Sequence, residues 1–190
     1  IMSTSLLTPG NVCLHIVDVQ QSLMAKIDDA ERVTSTVDLM IRCARIFKMP
    51  ILANTQYIKG LGPYVASLED AAQGVPRFDK IEFNALANEA TPTFIGGLPK
   101  AVTTIALVGV ETHICIYQTA MGLLNLGFEV WIVADGVSSR KKADHDAGLA
   151  RLQGVGGIIG PAEMLIYELL GRAGTAEFKQ ILPLIINRSS

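Results

Sequence analysis

The chain has 190 residues, 49% of them hydrophobic and 18% charged, and carries a formal net charge of -2. That size and apolar content suffice for one sizeable core, so a single domain over residues 1–190 is expected. The near-neutral balance provides no basic face for nucleic-acid phosphates or an anionic membrane, and no apolar run approaches the length of a membrane span.

Three cysteines, at 13, 43 and 115, are an odd number without C-x-x-C spacing, which fits reduced thiols and a cytoplasmic location. No charged-then-apolar leader opens the sequence, and Ile1 ahead of Met2 reads as an addition to the natural start.

The first apolar run, 12–18, reads as a strand ending at Asp18, where open parallel sheets assemble their ligand crevices. His15 inside that run reads as a satisfied core histidine. A helix is predicted over 29–48 from the spacing of Val33, Val37, Met40, Ile41, Ala44 and Phe47. A second strand follows at 51–55. Residues 59–74, rich in glycine, read as the longest loop and a candidate pocket rim. Lys80 closes a short strand at 77–80 among Phe78, Ile81 and Phe83, so its ammonium is expected to leave an apolar setting in search of an anion. A helix is predicted at about 83–90.

The run 104–110 reads as a strand covered on both faces and leads into a helix over 112–126, with Thr112 as its N-cap and Gly127 as its C-cap. Cys115 then falls at about the third helical position, where the helix dipole is expected to lower the thiol pKa and favour a nucleophilic thiolate. A buried core cysteine fits the same position. Further strands at 129–134 and 156–159 alternate with helices at 142–153, 161–171 and 176–186, with Pro161 in a first turn. The alternation predicts an α/β fold, a three-layer αβα sandwich around a mostly parallel six-stranded, Rossmann-like sheet.

Taken together, Asp18 and Gln20 (D-x-Q), Lys80, and Gly109 to Cys115 (G-V-x-T-x-x-C) with Gln118, Thr119 and Ala120 resemble the isochorismatase-like cysteine hydrolase superfamily. TQYIKGLG at 55–62 and ETHICIYQT at 111–119 are similar to its metal-free branch of YcaC-like and isochorismatase domain-containing proteins. The resemblance implies hydrolysis of a small amide, carbamoyl compound or ester. Cys115 would be the nucleophile, Asp18 the proton acceptor and donor, and Lys80 the orienting cation. It also implies an oxyanion hole from the backbone N–H groups of Glu111 and Cys115, with a cis Val110–Glu111 peptide.

Residues adjacent to these motifs, Gln20, Leu23, Tyr57, Phe83, His113 and Gln118, are candidate substrate contacts. No cofactor or metal is expected, because Thr55, Gln56 and Tyr57 stand where related nicotinamidases carry an Asp-x-His motif. Two other readings remain open: a vinyl-ether hydrolase of isochorismate type, and a non-catalytic binding or redox-sensing protein. The apolar C-terminal section and the resemblance imply a homo-oligomer, a tetramer or larger ring.

Overall fold

The computed structural model describes residues 5–188, so the expected addition at Ile1 lies outside the described residues. Six strands, β1 (Val12–Val17), β2 (Ile51–Gln56), β3 (Arg77–Lys80), β4 (Thr104–Val110), β5 (Glu129–Ser138) and β6 (Ile158–Gly160), form one sheet in the order β3-β2-β1-β4-β5-β6. All five pairings are parallel.

Among the described residues, nine α-helices accompany them: α1 (Gln21–Met24), α2 (Ala30–Ile46), α3 (Ile58–Leu61), α4 (Ala66–Ala71), α5 (Ala90–Gly96), α6 (Tyr117–Asn125), α7 (Lys142–Gly154), α8 (Ala162–Leu170) and α9 (Ala176–Ile186). The central strands are apolar throughout because both of their faces are covered. Leu14 and Ile16 of β1, with Val108 and Val110 of β4, pack against Val33, Val37 and Ile41 of α2. Cys13 and Val17, with Ile105 and Leu107, face the opposite core around Ile116, Ala120 and Leu123. This period of two sends alternate side chains into separate layers.

His15 is fully buried, and its Nε2 lies 2.6 Å from Asn54 Oδ1. The Asn54 amide donates to Phe78 O and Thr91 Oγ1, so its oxygen is the acceptor and Nε2 carries the proton. Burial lowers the imidazole pKa to about 4, which keeps it neutral as a core histidine.

The structure corrects several element boundaries. The helix expected at 83–90 is two short pieces, a 3-10 turn at Ala85–Ala87 and α5, because Asn84 and Asn88 each cap a new start by accepting from Leu86 N and Thr91 N. The stretch 59–74 is not a plain loop, since it contains α4, anchored by buried Tyr64, Leu68 and Ala72 at helical spacing against the α2 side of the core. Pro161 is the N-cap of α8 rather than a first-turn residue.

Candidate active site

The order of the sheet reverses direction between β1 and β4, and at such a switch point the loops leaving the carboxyl ends diverge to leave a crevice. Register brings the reactive residues there. Val17 pairs with both Asn54 and Gly109, and Gln56 pairs with Lys80. Asp18 therefore leaves the sheet just beside the ends of β2 and β4. Gly109 allows this close approach, for it has φ +120° and a Cβ there would fall inside the Val17 carbonyl group.

Asp18 itself is held at φ 55°, with its N–H donating to Asn54 O at 3.1 Å and its carbonyl accepting from Gln20 N at 2.8 Å. These bonds turn the carboxylate away from the strand's continuing path. Lys80 Nζ meets it, 2.7 Å from Asp18 Oδ2, and both side chains are completely buried. The same ammonium donates to Gln56 Oε1 at 2.6 Å, while Gln56 Nε2 donates to Ile81 O at 2.9 Å. Lys80 thus finds the anion its apolar flanks implied, together with a second oxygen that sequence reasoning missed. The signal for Gln56 was its place at the end of β2, directly opposite Lys80.

Cys115 lies in a single π-helical turn, Thr112–Ile116, that continues into α6. Such turns recur at functional positions. Glu111 is the N-cap, and Thr112 is instead fully buried with its hydroxyl 2.8 Å from His145 Nδ1, which corrects the expected cap. The Glu111 carbonyl accepts from Ile114 N (3.1 Å) and Ile116 N (3.2 Å). Among the described residues, no hydrogen bond occupies the Glu111 N–H. The Val110–Glu111 peptide is cis.

The Asp18 charge and the Lys80 ammonium both act on the thiol of Cys115, which is buried at 7% exposure. Burial pushes the thiol pKa up to about 12, the Asp18 charge pushes it further in the same direction, and the Lys80 ammonium opposes both. Loss of water around the sulfur thus runs against the helix-start lowering expected from sequence. Burial likewise raises the Asp18 carboxyl, against the opposing pull of Lys80. Asp18 Oδ1 has no full hydrogen-bond partner, so one carboxylate oxygen keeps a lone pair for a proton.

Other candidates separate clearly. Gln20 is buried and its amide is spent on backbone, donating to Gln56 O (3.1 Å) and Gly62 O (2.8 Å) and accepting from Gln56 N (2.7 Å). It braces the end of β2 instead of reaching out to a substrate. The His113 ring is held by Ser139 Oγ at 2.8 Å and stands 4.0 Å from Asp144, with no bond to Asp18, Lys80 or Cys115.

Tyr57 and Phe83 are 53% and 52% exposed just past the ends of β2 and β3, where exposed Ile81 joins them, so they lie on the surface rather than in the core. Leu23 is half-buried against the α2-side core, and Gln118 is partly exposed in the first turn of α6. Thr55 Oγ1 donates to Asp79 Oδ1 at 2.8 Å, and no group of three or more His, Cys, Asp or Glu among the described residues is arranged to hold a metal.

An all-parallel sheet with a cysteine beside a buried Asp–Lys pair at its switch point defines an isochorismatase-like α/β protein. The isochorismatase domain model matches residues 12–164, and the chain belongs to the isochorismatase family of hydrolases. It is 33% identical over 183 residues to the secreted isochorismatase effector Isc1 of Phytophthora sojae, covering 94% of this chain and 86% of that protein. The structure of the MAR1 ribonuclease of Caenorhabditis elegans superposes with a TM-score of 0.90 at 31% identity, covering 98% of this chain and 95% of that one. The YcaC gene product of Escherichia coli, described as an octameric hydrolase of unknown specificity, shares the fold with a TM-score of 0.88 at 19% identity, covering 97% and 92%.

Proposed function

We propose that the chain is a cysteine hydrolase of small amides, carbamoyl compounds or esters that works through Cys115, Asp18 and Lys80. The observation that carries this reading is the fully buried 2.7 Å Asp18–Lys80 pair coupled to the Cys115 thiol. A buried ion pair is costly to desolvate and contributes little to stability for its expense, so its presence beside a thiol at a ligand crevice is best explained by chemistry.

The upward shift of the buried thiol supports a protonated resting state. Cys115 is protonated and Asp18 is the acceptor, so the sulfur is activated by proton transfer as it attacks, not by standing as a free thiolate. The S–H proton passes to Asp18 Oδ1 while a C–S bond forms and the carbonyl π pair moves to oxygen. Lys80 holds Oδ2 and stabilises the charges throughout. The oxyanion is taken by the fixed N–H groups of Glu111 and Cys115. Collapse breaks the C–N or C–O bond, and the leaving group departs with the proton from Asp18. Water then gives a proton to Asp18 as it attacks the thioester, and that proton returns to sulfur as the acid is released.

The substrate stands against the rim formed by Tyr57, Phe83 and Ile81, with Leu23 and Gln118 as further contacts. A net charge of -2 supports a small substrate rather than a polyanion. Three free cysteines support a reducing, cytoplasmic setting. No helix among the described residues is long and apolar enough to cross a membrane. Exposed Met164, Tyr167 and Ile186 on α8 and α9 support a homo-oligomer, in line with the octameric state described for YcaC.

A panel of aliphatic and aromatic carboxamides, N-carbamoyl amino acids and simple esters tests the reading, with ammonia, amine or alcohol release as the signal. Turnover confined to one class and lost in Cys115→Ala is the expected result. Undiminished turnover in Cys115→Ala would overturn the covalent scheme.

A further inference from the structure

We infer that Arg140 is a positioning residue of the oxyanion site, holding Glu111 in place through its carboxylate so that the Glu111 N–H is aimed beside Cys115. The inference rests on the reading of Cys115 as an acyl-transfer nucleophile. Glu111 is unusual for an acidic residue: its side chain is only 9% exposed, although it lies at the end of a strand and the entrance to a helix, where solvent is normally near.

Among the described residues, the buried carboxylate is held by Arg140 alone. Oε2 accepts from the Arg140 backbone N–H at 2.9 Å and from the guanidinium Nε at 3.2 Å, and Oε1 lies 3.1 Å from the same Nε. Arg140 sits in the segment between β5 and α7, with its own side chain 58% exposed. It therefore reaches inward from the surface to a group that would otherwise be buried without a counter-ion.

The other end of Glu111 is tied as well. Its carbonyl accepts from two residues, Ile114 and Ile116, on either side of Cys115. Side chain and carbonyl together fix the residue from both directions, while its own N–H remains without a partner among the described residues. A donor left without an acceptor at the start of the turn that carries Cys115 is free for a substrate oxygen that becomes negative. The Arg140 end of the pair is 58% exposed, so solvent screens its contribution to stability. Its effect should instead appear in the one step that needs the donor held still.

Two reactions of the same sulfur separate these roles. Acylation by p-nitrophenyl acetate passes through a tetrahedral oxyanion, whereas alkylation by iodoacetamide displaces iodide at a saturated carbon and forms none. In Arg140→Ala, acetylation of Cys115 followed by mass spectrometry should slow by about tenfold to a hundredfold, the scale of a small misplacement at a reacting centre. Iodoacetamide alkylation should stay within about twofold of the wild-type rate, since the Asp18–Lys80 pair is untouched.

Arg140→Lys should recover part of the loss, and Arg140→Ala should cause no further loss in a Glu111→Gln background. Equal acetylation rates in wild type and Arg140→Ala would overturn the inference, as would a parallel fall in both reactions or additive losses in the double variant. If Cys115 of the wild-type protein takes no acetyl group at all, the acyl-transfer reading fails and this inference falls with it.

Discussion

Replacing Lys80 by Met is expected to lower stability by about 3–5 kcal/mol, the usual penalty for removing one member of a buried ion pair, and to abolish turnover. The methionine fills much of the lysine's volume, so packing is not the main loss. What is lost is the cation against Asp18 Oδ2 and the donor to Gln56 Oε1. Asp18 then either remains charged and buried without a partner or takes up a proton, and a protonated Asp18 cannot accept the proton of Cys115. Denaturant titration measures the first effect and steady-state rates the second. A Lys80→Met protein as stable as wild type would mean that the pair is not buried as described.

Asp18→Asn separates chemistry from charge balance. The amide oxygen can still accept from Lys80, but it cannot take a proton, so kcat should fall by about 10²–10⁴-fold, the typical contribution of a general base. The pH profile gives a sharper signature. Burial raises the Asp18 carboxyl, so wild-type activity should be lost on acidification at a higher pH than an ordinary carboxylate would give. The sign follows from the required form: the ionised carboxylate is active, and protonation as pH falls removes it. In Asp18→Asn that acid limb should vanish. The residual rate should instead climb with pH, because thiolate would have to form by loss of a proton to solvent from a thiol that burial holds high. An unchanged acid limb in the variant would assign it to another group.

The architecture was legible because it depends on patterns that persist over several residues. Period-two burial in β1 and β4 and the helical stripe of α2 are written directly in the apolar spacing. Asp18, Lys80 and Cys115 could be named because each closes or follows such a strand. What the sequence did not convey was short-range and local. Asn84 and Asn88 divide one apparent helix into two pieces through side-chain caps. Thr112 has the composition of an N-cap but spends its hydroxyl on His145. The direction of the Cys115 pKa shift depends on how much water the fold removes from the sulfur, a quantity set by residues from several strands at once.

Substrate contacts were the least legible. Gln20 and His113 adjoin the motifs, yet the Gln20 amide is taken by Gln56 and Gly62 and the His113 Nδ1 by Ser139. Gln56 and Arg140 were missed because their partners, Lys80 and Glu111, lie 24 and 29 residues away in the chain.

The most direct measurement of the central claim is rapid quench of the wild-type protein during turnover of its best panel substrate, followed by peptide-level mass spectrometry. One acyl group is expected on Cys115, forming and decaying fast enough to carry the steady-state rate, and failing to form in Asp18→Asn on the same timescale. Turnover proceeding with no acyl group on Cys115, or with the group on another residue, would contradict it.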